Sequence, residues 1–153
     1  MASATWPNSE RYDLLPDDVR DRWLRFLRPD RVFFPTHVGL KLDEVRKGYA
    51  RLRLSPRPEI LQVAGALHGG ALATLIDTVA VPAIGTYYDS QPEMLTVSMT
   101  VNYVGTVVGQ DAVCEGWVEK GARTLAFVRA ELRGDNGELA ATGSLVYRIT
   151  LRS

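Results

Sequence analysis

Two rhythms of apolar residues divide the chain. Between 94 and 104, Leu95, Val97, Met99, Val101 and Tyr103 alternate with Thr96, Ser98, Thr100 and Asn102, the period of two that marks a strand with one face inward. Residues 111–120 and 124–133 read as two further strands joined by a short Lys120-Gly121 turn. Gly134-Asp135-Asn136-Gly137 is a turn signal. After it, 138–149 place Leu139, Ala141, Leu145, Tyr147 and Ile149 on one strand face. Upstream, 38–55 read as a hairpin, with Leu40 and Leu42 before a Lys47-Gly48 turn and Leu52 and Leu54 after it. Residues 56–66 carry Pro56, Pro58 and Gly65 and read as a loop.

Two segments follow the helical rhythm instead. Val19, Trp23, Phe26 and Leu27 form one apolar stripe behind Pro16-Asp17-Asp18; proline and acidic residues suit a first turn. Asp18–Arg22 and Asp21–Arg25 are spaced as ion pairs on the wet side, and Pro29 ends the helix. Residues 1–15 before it read as a loose leader. The second helix, 69–85, contains ALATLIDTVAVPAI and is apolar almost all round, so it predicts a buried helix. Pro82 should kink or end it. Helix, two strands, buried helix, four strands: this order predicts an α+β domain whose long antiparallel sheet wraps one central helix, with an extra N-terminal helix.

Composition narrows the chemistry. The 153 residues fit one domain, with 1–36 as leader and short helix and 37–153 as the main body. Eighteen basic residues balance eighteen acidic ones, so nothing drives the chain to nucleic acid or a membrane surface; a polyanionic ligand would need a local basic patch. A single cysteine, Cys114, forms no internal disulfide and reads as a small core residue. Met1–Asp13 carries no apolar signal-like run, and no apolar run approaches the ~20 residues of a membrane span; the expectation is a soluble cytoplasmic protein. Two histidines and one cysteine give no metal-ligand spacing, and His37 reads as a surface or loop residue. No G-x-S-x-G elbow points to a serine hydrolase, and no glycine-rich phosphate loop is present.

The central segment is odd for a plain core helix. Gly69 and Gly70 sit where it should start, and the unpaired N–H groups of a first turn form a ready oxyanion site. Asp77 lies within the apolar stretch, where an unpartnered carboxylate is costly. Gly69 and Asp77 are about 12 Å apart along one helix, and His68 and Asp77 about 180° apart around it. One helix therefore cannot bring both to one substrate atom. A two-fold dimer with facing helices would, and would create two composite sites.

The segment LHGGALATLIDTVA resembles the signature of PaaI-like acyl-CoA thioesterases of the hotdog superfamily, and the likeness extends over roughly residues 38–150. Lys120-Gly121-Ala122-Arg123-Thr124-Leu125-Ala126-Phe127 is similar to that family's strand pair. The resemblance implies a hotdog fold and hydrolysis of acyl-CoA, with no cofactor beyond the CoA of the substrate. It implies that the Gly69 N–H polarises the thioester carbonyl and that Asp77 of the other subunit acts as general base or nucleophile. His68 would orient the loop or thioester. Gln62 stands where the family often has asparagine, and Thr96 where relatives carry a serine that places the water. Gly70, Lys120, Gly121, Arg123 and Thr124 lie where the family grips CoA. A homodimer or a dimer of dimers is implied. A non-catalytic acyl-CoA sensor and an enoyl-CoA hydratase on the same fold are the competing readings. Trp6, Trp23 and Phe26 are candidates to shape the acyl pocket, and the acyl group stays open among medium-chain, aromatic and hydroxyaromatic.

Overall fold

The computed structural model describes residue 6 and residues 8–152. Three α-helices and six strands follow in order: α1 Asp17–Leu24, α2 Phe34–Val38, β1 Leu40–Arg46, β2 Tyr49–Leu54, α3 Gly69–Tyr87, β3 Glu93–Tyr103, β4 Ala112–Gly121, β5 Leu125–Gly134 and β6 Leu139–Thr150. The strands form one antiparallel sheet in the order β1-β2-β4-β5-β6-β3. It curls around α3, as the pattern predicted. Leu75, Ile76, Val79, Ala80, Ala83 and Ile84 of α3 are fully buried against the inward residues of the sheet, among them Leu52, Cys114, Val128 and Leu145. By length and hydropathy α3 could pass for a membrane span, contrary to the expectation that no segment would. Its apolar surface is spent on the sheet instead.

Several boundaries differ from the sequence reading. α3 does not end at Pro82; it runs to Tyr87. Thr86 ties that last turn to the β1–β2 turn: its hydroxyl donates to the Arg46 carbonyl at 2.9 Å and accepts from the Gly48 N–H at 3.1 Å. Lys120 and Gly121 are not a turn. They pair with Phe127 and Ala126 as the end of β4, and the reversal falls at 122–124. Gly121 is needed because the Tyr87 ring lies on it; a Cβ would stand 2.2 Å from that ring. α1 stops at Leu24 rather than near Pro29, and His37 lies in the short α2, exposed.

The N-terminal segment is less loose than expected. Residues 1–5 and 7 lie outside the described residues, but Asn8 is buried and donates from its backbone and its amide to both oxygens of Glu115, at 3.3 and 3.2 Å. Glu115 is 1% exposed and also accepts from the Tyr49 hydroxyl at 2.8 Å. Trp6 lies over Arg51, a β2 residue flanked by the inward Ala50 and Leu52, so Trp6 stands on the outer face of the sheet, away from the inner core. α1 docks through Trp23, whose ring sits where a Cβ on Gly85 would be 2.2 Å away.

β3 departs from simple alternation. Thr96 pairs with Tyr147 and Ser98 with Val146, so Val97 is one surplus residue. Such a bulge switches the strand's faces. Met94 and Thr96 point inward before it; Met99 borders the inner cleft and Val101 packs on the core after it. Leu95 and Val97 are left 61% and 59% exposed. The sequence pattern alone groups Leu95 and Val97 with Met99 and Val101.

Candidate active site

The loop before α3 is fixed by backbone pairing. Leu67 N–H donates to Val107 and His68 N–H to Ile60, both at 2.9 Å. This sets the N-terminus of α3 in place. His68 is the N-cap, and its Nδ1 accepts from the Gly70 N–H at 2.9 Å, so Nδ1 carries no proton in this arrangement and serves as the acceptor a cap needs. Ala71 and Leu72 donate to the His68 carbonyl. Of the first amides, Gly69 alone donates to nothing among the described residues. Tyr103 holds the next peptide of the same residue, its hydroxyl donating to the Gly69 carbonyl at 2.6 Å. The result is one free N–H at the positive end of a 19-residue helix, a place suited to developing negative charge.

Asp77, two turns on, faces a cleft of about 430 Å³. One of its oxygens is held: Oδ1 accepts from the Tyr147 hydroxyl at 2.6 Å and from the Thr96 hydroxyl at 3.1 Å. Oδ2 has no partner among the described residues. Burial first, and the adjoining carboxylate second, push the Tyr147 hydroxyl well above its ordinary value of 10.0; it keeps its proton and remains a donor at every working pH. Apart from Thr74 and Thr78 the rest of the cleft is apolar, with walls that include Phe26, Phe33, Phe34, Val81, Met94 and Met99. Aromatic edges meet there, Phe26 against Phe33 at 5.6 Å.

The residues picked from sequence fall into three places. Asp77 and Thr96 meet, with the bulge at Val97 setting the face from which Thr96 reaches in. His68, Gly69 and Gly70 form the helix start, which lies apart from Asp77 as the helical spacing requires. Gln62 closes its own loop, its Oε1 accepting from Ala64 N–H at 2.6 Å. Arg123 and Thr124 border a different cleft, of about 580 Å³, with Arg148 and Arg152; Lys120 is exposed at the end of β4. Tyr147 and Tyr103 went unread as polar partners. On a strand face each looks like one more apolar position, and only the fold brings their hydroxyls to α3. Cys114 is buried, as expected, and burial raises its thiol.

One long helix rolled in a six-stranded antiparallel sheet is the hotdog fold. Solved structures agree. A conserved protein from Pseudomonas aeruginosa superposes with a TM-score of 0.74 at 25% identity, over 78% of this chain and 94% of that one. A variant of the phenylacetic acid degradation protein PaaI from Thermus thermophilus gives 0.69 at 24%, over 77% of this chain and 98% of that one. In sequence, acyl-coenzyme A thioesterase 13 of Homo sapiens is 35% identical over 81 residues, covering 52% of this chain and 57% of the human protein. The sequence profile of the thioesterase superfamily matches residues 64–141, and the chain belongs to that family. Its chemistry is thioester hydrolysis.

Proposed function

We propose that the protein hydrolyses acyl-CoA as a homodimer, each site combining the Gly69 amide of one subunit with Asp77 of the other. The observation that carries this reading is the pair of half-prepared groups on α3. A free amide stands at one point of the helix and a carboxylate with one free oxygen at another, about 12 Å along the same axis. In the reaction, Asp77 takes a proton from water, and the hydroxide attacks the thioester carbonyl carbon. The Gly69 N–H receives the oxyanion, a contact worth about 2.7–4 kcal/mol in comparable sites. Collapse expels the CoA thiolate, which takes up a proton. Thr96 helps to fix the carboxylate and the water.

The edge strand supports pairing of two subunits. β3 has 11 residues, one neighbour and exposed Leu95 and Val97, and such an edge invites a partner strand. The human relative's name, acyl-coenzyme A thioesterase 13, supports CoA as the carrier. Arg123 and Thr124, with Arg148 nearby, offer its phosphates cations and donors, and Lys120 stands on the same hairpin. Gly70, whose N–H His68 occupies, leaves only its bare surface for the ligand.

Complementation tests the composite site. Gly69→Pro removes the N–H at the first helical position, where proline is at home, and His68 already has the extended backbone that must precede it, with φ −63° and ψ 138°. Gly69→Pro and Asp77→Ala homodimers should both be inactive in thiol release from acyl-CoA. Mixed and re-associated, heterodimers carry one intact site and recover up to about half the activity per dimer, by the isologous symmetry of such an interface. No recovery on mixing, with heterodimers present, rules out sites shared between subunits.

A further inference from the structure

The end of α1 makes an unusual arginine cluster. After Leu24 the chain continues through i→i+3 turns: Phe26 N–H to the Trp23 carbonyl at 2.8 Å, Arg28 to Arg25 at 3.4 Å and Arg31 to Arg28 at 3.1 Å. Arginine occupies every third position here, at 22, 25, 28 and 31. All four border one cleft of about 450 Å³.

Their charges are poorly matched. Arg28 pairs with Asp30 at 3.0 Å. The ion pairs expected from sequence for Arg22 and Arg25 do not form; Arg20 takes Asp17 and Asp21 instead. Arg22, Arg25 and Arg31 thus have no carboxylate among the described residues, whereas Arg51, Arg53, Arg129 and Arg133 on the sheet are all paired. Arg31 rests over the Phe33 ring at 4.7 Å and the Phe26 ring at 5.8 Å, a cation lodged on aromatic faces.

The position of the cluster gives it meaning. Phe26 and Val81 border both this cleft and the one containing Asp77. Val81 is one helical turn beyond Asp77, about 6 Å along α3. A chain starting at the Asp77 carboxylate would cross the apolar wall of Phe26, Phe33 and Val81 and emerge among guanidinium groups.

We infer that the arginine cleft receives the far end of the acyl group and selects acyl chains that end in a carboxylate, the CoA monothioesters of dicarboxylic acids. This rests on the thioesterase reading of the Asp77 cleft and adds the substrate class. Methylenes suit the apolar stretch, and the guanidinium fork suits a terminal carboxylate. The four arginines are exposed, so solvent screening limits the gain; a preference of about tenfold, equal to about 1.4 kcal/mol, is the expected scale.

The test compares octanoyl-CoA with the mono-CoA thioester of octanedioic acid. The wild type should show kcat/KM about tenfold higher for the ω-carboxylate substrate, carried mainly by KM and weakened by added salt. In Arg22→Gln/Arg25→Gln the ratio should fall towards one, and in Arg22→Lys/Arg25→Lys it should partly survive. A wild-type ratio at or below one overturns the inference. So does an equal loss for both substrates in the Gln variant, which would assign these arginines to the CoA phosphates. Titration calorimetry with non-hydrolysable thioether analogues of the two substrates separates this claim from the thioesterase reading. If no substrate is cleaved, tighter binding of the ω-carboxylate analogue still upholds the cleft, and equal binding overturns it.

Discussion

At Asp77 the two carboxylate oxygens stand in different surroundings. Oδ1 is tied by Tyr147 and Thr96, which leaves Oδ2 to meet water. Asp77→Asn should cut kcat for acyl-CoA by about 10²–10⁴-fold with a small change in KM, read by thiol release. Tyr147 is a positioning residue in this scheme. Because burial holds it protonated, its hydroxyl stays a donor that fixes Oδ1 of Asp77. Tyr147→Phe removes that donor, so kcat for thiol release should fall about tenfold with little change in KM, whereas a purely structural role would lower the urea midpoint in step with activity. Asp77 was readable from sequence because a charge in an apolar helix conflicts with its setting. Tyr147 was not, since its ring satisfies the alternation of β6 and its hydroxyl finds its partner 70 residues away.

The elements hold their places through close contacts that a pattern of apolar residues does not encode. α1 was foreseen, but its length was not. Hydrogen bonding switches to i→i+3 after Leu24, which breaks the i,i+4 spacing that would have joined Asp21 to Arg25. Its docking depends on Gly85, where an added methyl meets the Trp23 ring. Gly85→Ala should therefore cost about 1–3 kcal/mol in urea denaturation and expose Trp23, seen as a red shift of its fluorescence. The strands were legible because β1, β2, β5 and β6 alternate in burial over most of their lengths, whereas β4 is buried throughout Ala112–Gly116. The phase of β3 was hidden, because Val97 is as apolar as the alternation demands and its surplus shows only against β6.

For the whole molecule, the sheet closes around α3 but leaves β3 without a second neighbour. Val97→Lys places a charge on that edge, and sedimentation should then report monomers that hydrolyse no thioester. The fold also carries two buried tyrosines, Tyr49 and Tyr147, both raised above the ordinary 10.0 chiefly by burial. Their contribution is complete below that value. Above it the unfolded chain sheds protons that the folded chain keeps, so stability falls as pH rises. Tyr49→Phe should make that alkaline loss shallower in denaturation measured from about pH 10 upward.

The bulge at Val97 ties the phase of a strand to chemistry. Suppose that Val97 were taken into regular alternation while Ser98–Tyr103 kept their pairing with β6. Thr96 and Met94 would rotate to the outside together, and the Asp77 oxygen would lose a donor although no residue that touches it had changed. Straightening the strand acts like a shift of frame: the same letters remain, read on the opposite face.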